Sequence, residues 1–199
     1  MKKIVIASNN AGKLREIQQI MKPLNIEVVS QSSFNVPEAK EPHATFIENA
    51  LAKARHASKM TTLSALADDS GICVEALNGE PGVHSARFAG EPKSDERNNQ
   101  KLIAAMRQHI NRKAHYYCVL VLVRYAEDPQ PLIAEAEWRG EIIDVPRGTG
   151  GFGYDPLFFL PQLGKTAAEL GAEHKNQISH RGKALQHLLH KLQKLKSEG

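Results

Sequence analysis

The sequence predicts a mixed α/β fold, and three features carry that prediction. Apolar runs suited to strands alternate with helix-spaced segments over the first third of the chain. Two long strand candidates, 115–126 and 133–145, flank Asp128-Pro129, as an antiparallel hairpin requires. A helical pattern then returns at the C-terminal end. Strand–helix alternation followed by a hairpin is the element pattern of a sheet with flanking helices.

Lys3 to Ser8 reads as a buried strand. Leu14, Ile17, Ile20 and Met21 then recur at helical spacing over residues 12–22. Ile26 to Ser30 is a second short strand, and a polar loop from Gln31 to His43 follows with Glu38 and Glu41 in it. Thr45-Phe-Ile-Glu48 has the T-x-x-E form of a capping box. Behind it Phe46, Ile47, Ala50, Leu51 and Ala54 form one apolar helix face. Ser64-Ala-Leu-Ala67 is a short strand running into Asp68-Asp-Ser-Gly71, and Ile72 to Leu77 continues extended. Asn78-Gly-Glu-Pro-Gly82 is turn chemistry.

Residues 94–110 are expected to be helical, on Leu102, Ile103, Met106 and Ile110. The two long strands are expected to extend away from the main sheet. Gly148 to Asp155 is a glycine-rich loop, and Thr166 to Leu170 is a short helix with another T-x-x-E box. Ser179 is the expected cap of a last helix carrying Leu185, Leu188, Leu189, Leu192 and Leu195. No repeat, low-complexity tract or linker interrupts the pattern, so residues 1–199 are expected to form a single domain.

Composition narrows the class. Hydrophobic residues make up 41% and charged residues 24%, as in soluble globular proteins. The net charge is +4, with much of the excess between Lys175 and Lys196. A basic face suits an anionic ligand, although a solvated helix surface is the commoner cause. It lacks the interleaved aromatics of a nucleic-acid binder. Cys73 and Cys118 sit in apolar surroundings and read as buried strand thiols. No segment approaches the roughly 20 apolar residues of a membrane span. The run after Met-Lys-Lys is too short for a signal-peptide core. A cytosolic protein with no membrane partner is expected.

Four stretches hold residues suited to chemistry. The first is Ser8-Asn9-Asn10-Ala11-Gly12-Lys13. An Asn before a helix is a good N-cap, and that alone explains the stretch. The other reading is a phosphate site, since a helix N-terminus offers unpaired N–H groups and partial positive charge. Ala11 and Gly12 leave room for a ligand, and Lys13 stands against the helix dipole. A bound anion would remove that conflict. The pattern G-x-x-x-x-G-K-[ST] is absent, so this is no Walker A loop.

The second stretch is Asp68-Asp69-Ser70-Gly71. Neighbouring strand residues point in opposite directions, so at most one carboxylate faces a given site. An Asp-rich turn is one reading; a Mg²⁺ ligand or general base is the other. Mg²⁺ takes one or two carboxylates plus phosphate oxygens, and Glu41 is the candidate second carboxylate. Lys53 is placed to reach a phosphate or Asp69, or is a plain surface lysine. The third stretch, Gly148-Thr-Gly-Gly-Phe152-Gly153-Tyr154-Asp155, offers close backbone approach, two stacking faces and an acceptor. A glycine-rich turn with core aromatics is the plainer reading. In the fourth, Lys175 to Arg181, His180 and Arg181 fall in a first helical turn. Arg181 suits a carbonyl acceptor on a base, or a phosphate. For His180 a cap or surface role is the simpler reading.

Taken together these stretches match a nucleoside triphosphate with Mg²⁺. In order and spacing, S-N-N-A-G-K, F-I-E-N-A-L-A-K-A, A-D-D-S-G, G-G-F-G-Y-D-P-L-F and I-S-H-R resemble the inosine triphosphate pyrophosphatase family. The similarity is greatest to its bacterial dITP/XTP pyrophosphatase branch and runs from the first strand to the last helix. It implies an elongated α/β sheet fold with two lobes around a nucleotide cleft, in a homodimer. It implies Mg²⁺-dependent hydrolysis of ITP, dITP and XTP to the monophosphate and pyrophosphate, clearing deaminated purines from the nucleotide pool. It makes Ser8 to Lys13 the triphosphate site, and Asp69 the proton acceptor and a metal ligand. Ser70 would then lie on substrate, Glu41 would be the second metal carboxylate and Lys53 a phosphate contact. Phe152, Gly153, Tyr154, Asp155, Lys175, His180 and Arg181 would contact the nucleotide. Many relatives have T-G-N where this chain has Ser8-Asn9-Asn10, and Asn tolerates φ > 0 better than most residues if the glycine position needs it.

The implied reaction is water attack on the α-phosphorus with pyrophosphate leaving. An Arg181 donor aimed at a 6-keto oxygen would favour hypoxanthine and xanthine over adenine. A pyrophosphatase for other modified nucleotides is the nearest alternative, separated by a substrate panel. A nucleotide sensor without turnover is the other, disfavoured by the grouping of Asp69 with a glutamate and a lysine.

Overall fold

The computed structural model describes residues 3–22 and 26–197. Its strands are β1 (Lys3–Ile6), β2 (Glu27–Ser30), β3 (Ser64–Val74), β4 (Lys113–Val123), β5 (Leu132–Ile142), β6 (Phe158–Leu160) and β7 (Lys165–Thr166). Its α-helices are α1 (Ala11–Met21), α2 (Phe46–Thr61), α3 (Asp95–Met106), α4 (Ala172–Ile178) and α5 (His180–Ser197). The strands form one mixed sheet in the order β2-β1-β3-β4-β5-β6-β7. β1 is parallel to β2 and β3, and β6 is antiparallel to β5 and β7. The mixed α/β expectation holds. The hairpin strands are not an extension, because β4 is the middle strand of the seven. Every residue from Cys118 to Val123 is buried, the pattern of a strand covered on both faces. Asp128 turns the hairpin by accepting hydrogen bonds from the Arg124 and Gln130 backbone and from the Arg124 guanidinium.

The chain divides into two compact units, residues 1–69, 118–136 and 181–199 in the first and 70–117 and 137–180 in the second. The first packs Ile4, Ile6 and Leu66 with Ile17 and Met21 of α1 and Ala184, Leu185, Leu188 and Leu192 of α5. The Ile20 and Leu195 side chains, expected on these helix faces, lie outside the described residues. The second unit packs Leu102 and Met106 of α3 with Ile72, Val74, Trp138, Leu157 and Phe158. Among the described residues no helix is long and apolar enough to cross a membrane.

Several local expectations change. The D-D-S-G stretch is not a turn but lies inside β3, where Ala65 to Asp69 are all buried. Glu75–Leu77 is a 3-10 turn rather than extended chain. α2 turns Ala50, Ala54 and Ala57 inward and leaves Ile47 exposed, because small residues let the helix lie close to the sheet. α3 stops at Met106, and Ile110 beyond it is 98% exposed. Ser179 follows α4, a helix the periodicity does not announce, and α5 begins at the next residue. The capping box at Thr166 and Glu169 forms as expected.

Candidate active site

In the first unit, Ile6 lies opposite Leu66 in parallel register. The chain therefore leaves β1 level with Asp68 and Asp69 of β3, at the carboxyl ends of β1 and β2. Open α/β sheets gather ligands at such ends. Strand alternation sends the two carboxylates to opposite faces. Asp68 shares a face with Leu66, and α1 and α5 cover it; Asp69 faces α2.

Asp68 is buried and saturated. One oxygen accepts from Lys13 Nζ, and the other from Arg181 Nε at 2.8 Å and Cys118 Sγ at 3.3 Å. Arg181 is only 2% exposed and also donates through Nη1 to Glu16 of α1. Burial opposes ionisation of Asp68, but Arg181 and Lys13 outweigh it and hold the carboxyl well below its usual range. The same pairing raises the Arg181 guanidinium further despite its burial. Burial and the Asp68 charge push the Cys118 thiol up.

This geometry answers the puzzle of Lys13. The lysine stands at the positive end of α1, but the protein supplies its anion, Asp68. Asn10 is the N-cap, with Oδ1 accepting from Gly12 N at 2.9 Å and Lys13 N at 3.0 Å. Two of the amides expected for a phosphate are thus already bonded. Ser8 Oγ accepts from Asn10 N at 3.1 Å. Asn9 is not among the described residues with positive φ, so nothing in its backbone demands glycine. Its side chain bonds Glu38 and Gln31 instead.

On the other face, Lys53 Nζ donates to Glu41 Oε1 at 2.8 Å and to Asp69 Oδ1 at 2.7 Å. Lys53 is thus an ion-paired residue rather than a plain surface lysine. Burial outweighs the Lys53 charge at Asp69 and raises its carboxyl; the two carboxylates outweigh burial at Lys53 and raise its ammonium. Asp69 Oδ2 is buried with no hydrogen-bond partner among the described residues. Among those residues no group of three or more His, Cys, Asp and Glu gathers as a metal cage. A hard cation here has two carboxylates, Asp69 and Glu41, which suits Mg²⁺ completed by phosphate oxygens and water. Glu41, not Glu38, shares Lys53 with Asp69.

The second unit holds Ser70, the loop 148–155, Lys175 and His180. Ser70 is half-buried in β3. Asp155 is the hub of the loop. Its Oδ2 accepts from Phe152 N at 3.0 Å and Lys175 Nζ at 2.6 Å, and its Oδ1 from Tyr116 Oη at 3.2 Å. A Cβ on Gly151, at φ +75°, would lie 1.9 Å from Asp155 Oδ2, so only glycine fits there. The two aromatics differ. Tyr154 is 3% exposed in the core and donates to Ser85 O at 2.7 Å, so it is a packing residue. Phe152 is half-buried, with Lys175 Nζ 4.9 Å from its ring centroid. His180 is no surface histidine: it is buried and stacked on Tyr116, with centroids 4.7 Å apart and rings 7° from parallel.

A family model described as the Ham1 family matches residues 4–191. The chain belongs to the Ham1 family. It is 69% identical over 192 residues to a dITP/XTP pyrophosphatase of Nitrosomonas europaea, covering 96% of this chain and 95% of that protein. It is 60% identical over 195 residues to a dITP/XTP pyrophosphatase of Ralstonia nicotianae, covering 96% and 97%. Among solved structures it resembles a HAM1 protein from Coxiella burnetii, with a TM-score of 0.92 and 47% identity over 98% of this chain and 100% of that one.

In this Ham1 family member, sequence reasoning passed over four residues that organise the site. Asp68 was visible only as the neighbour of Asp69; strand alternation was the signal that it serves the other face. Glu16 lies three residues after Lys13, one helical turn on. Tyr116 and Cys118 read as strand residues, and nothing local marks their bonds to Asp155 and Asp68.

Proposed function

We propose that this protein hydrolyses deaminated purine nucleoside triphosphates (ITP, dITP and XTP) to the monophosphate and pyrophosphate, and so clears noncanonical purines from the nucleotide pool. It is a nucleoside triphosphate pyrophosphohydrolase. The observation that carries the reading is the grouping of Lys53 with Glu41 and Asp69, beside a buried Asp69 oxygen that has no hydrogen-bond partner among the described residues. The names of the close relatives support the substrate class.

Asp69 and Glu41 are the residues that would hold Mg²⁺. When bound, the metal supplies positive charge to phosphate oxygens. The remaining work falls to the chain. Asp69 accepts the proton of the attacking water at a carboxylate oxygen. Lys13, fixed by Asp68, and Lys53 neutralise phosphate charge from set positions. Arg181 bonds Asp68 through Nε and Glu16 through Nη1, and so helps to fix the carboxylate that pairs with Lys13. Phe152 offers the stacking face for the purine, and Lys175 and His180 steady it through Asp155 and Tyr116. The family resemblance adds a homodimer, which light scattering would test.

Pyrophosphate release from dITP with and without Mg²⁺ tests the reading. Metal-dependent release of one pyrophosphate per dIMP is expected, with dATP turned over much more slowly. Orthophosphate as the product, or equal rates on dITP and dATP, would overturn it.

A further inference from the structure

We propose that Asp95 and Asn99 of α3 are positioning residues for the glycine-rich loop, acting on Gly153. The proposal rests on reading that loop as the base-binding element. The two residues lie four apart on the helix and so share one face. Between them they bond both polar groups of one loop residue. Gly153 N donates to Asp95 Oδ2 at 2.6 Å, and Asn99 Nδ2 donates to Gly153 O at 3.0 Å. Gly153 has φ +64° and joins the half-buried Phe152 to the buried Tyr154. Fixing both its peptide groups sets the direction in which the Phe152 ring is presented.

The helix is a firm base for this. Leu102 and Met106 seat α3 in the core, and Asn98 bonds Ala89 N at 2.7 Å and Ala86 O at 3.2 Å. Asn99 Oδ1 is buried with no partner among the described residues. A buried acceptor left unbonded costs stability, so a mid-helix Asn is justified by its donor bond to Gly153. Asp95 also lies in the first turn of α3, where a carboxylate favours the helix dipole. Replacement by Asn removes that charge yet keeps an acceptor oxygen, so it separates the two roles.

The test compares the full-length wild type with Asp95→Ala, Asp95→Asn, Asn99→Ala and the double alanine variant. Amide hydrogen exchange over residues 148–155 is expected to quicken by about tenfold in the alanine variants, the scale of one lost hydrogen bond. In dITP hydrolysis, KM is expected to rise by about tenfold with kcat within about twofold. Asp95→Asn is expected to restore both. Unchanged exchange and KM in the double variant would overturn the proposal, as would Asp95→Asn behaving like Asp95→Ala. If the double variant does not fold by circular dichroism, the Asp95→Ala and Asp95→Asn pair decides alone. Wild type inactive on dITP would remove the substrate reading, while the exchange data would still decide the loop contact.

Discussion

In the first unit most of the proposed functional side chains stand on a strand and three helices, with Glu41 on a loop the exception, whereas in the second most of them depend on a loop. Lys13, Lys53, Asp68, Asp69 and Arg181 are charges placed by α1, α2, β3 and α5 and paired with one another. Phe152, Tyr154 and Asp155 lie in irregular chain fixed by side-chain bonds from Lys175, Tyr116, Asp95 and Asn99. Phosphate chemistry needs charges that stay put, and regular elements hold a side chain's origin firmly. A planar base needs a shaped surface, which glycine-rich backbone can form once something else supplies its rigidity. The two units therefore differ in what a mutation removes: electrostatics in the first, shape in the second.

The largest effect is expected at Asp69. Asp69→Asn should lower kcat roughly 10³-fold by removing the base, while calorimetry still detects dITP binding. Turnover near wild type would break the assignment of chemistry to the first unit. Next comes Asp68→Asn, which leaves buried Arg181 short of a carboxylate. Removing one partner of a buried pair costs roughly 3–5 kcal/mol, to be read from urea unfolding. A stable variant with normal kcat would make the Asp68 pairs dispensable.

The Asp68 pairs also give a pH signature. The native carboxyl titrates below its ordinary value of 3.8, so its contribution is complete above that pH and is lost as pH falls through the depressed native value. The gap in unfolding free energy between wild type and Asp68→Asn should be widest near neutrality and close on the acid side. A gap that does not change with pH would remove the electrostatic account. The smallest effect is expected in the second unit. Phe152→Ala should raise KM for dITP roughly tenfold, with little loss of stability, because one base–aromatic stack is lost. A fall in kcat with KM unchanged would place Phe152 on the chemical side of the comparison.

Much of the molecule was legible along the chain. Buried strands, capped helices and the hairpin are local patterns, and apolar spacing with Asn10, Thr45 and Thr166 marked them. Asp69, Glu41 and Lys53 were identifiable as residue types, and the resemblance grouped them. Three features were not local. Ile47 looked inward by period, yet the alanines of α2 are what the sheet accepts. Tyr154 looked like a second stacking face, yet the core takes it through Ser85. Lys13 looked short of an anion because its partner lies 55 residues away.

The sequence by itself determined the class of fold, the family and the kinds of groups present, because propensity, capping and motif spacing act over a few residues. Only the tertiary structure decided which charge answers which. Parallel pairing of β1 with β3 brings Lys13 level with Asp68, and the strand pleat sends Asp69 to Lys53. Those pairings depend on contacts between distant segments, and no local pattern encodes them.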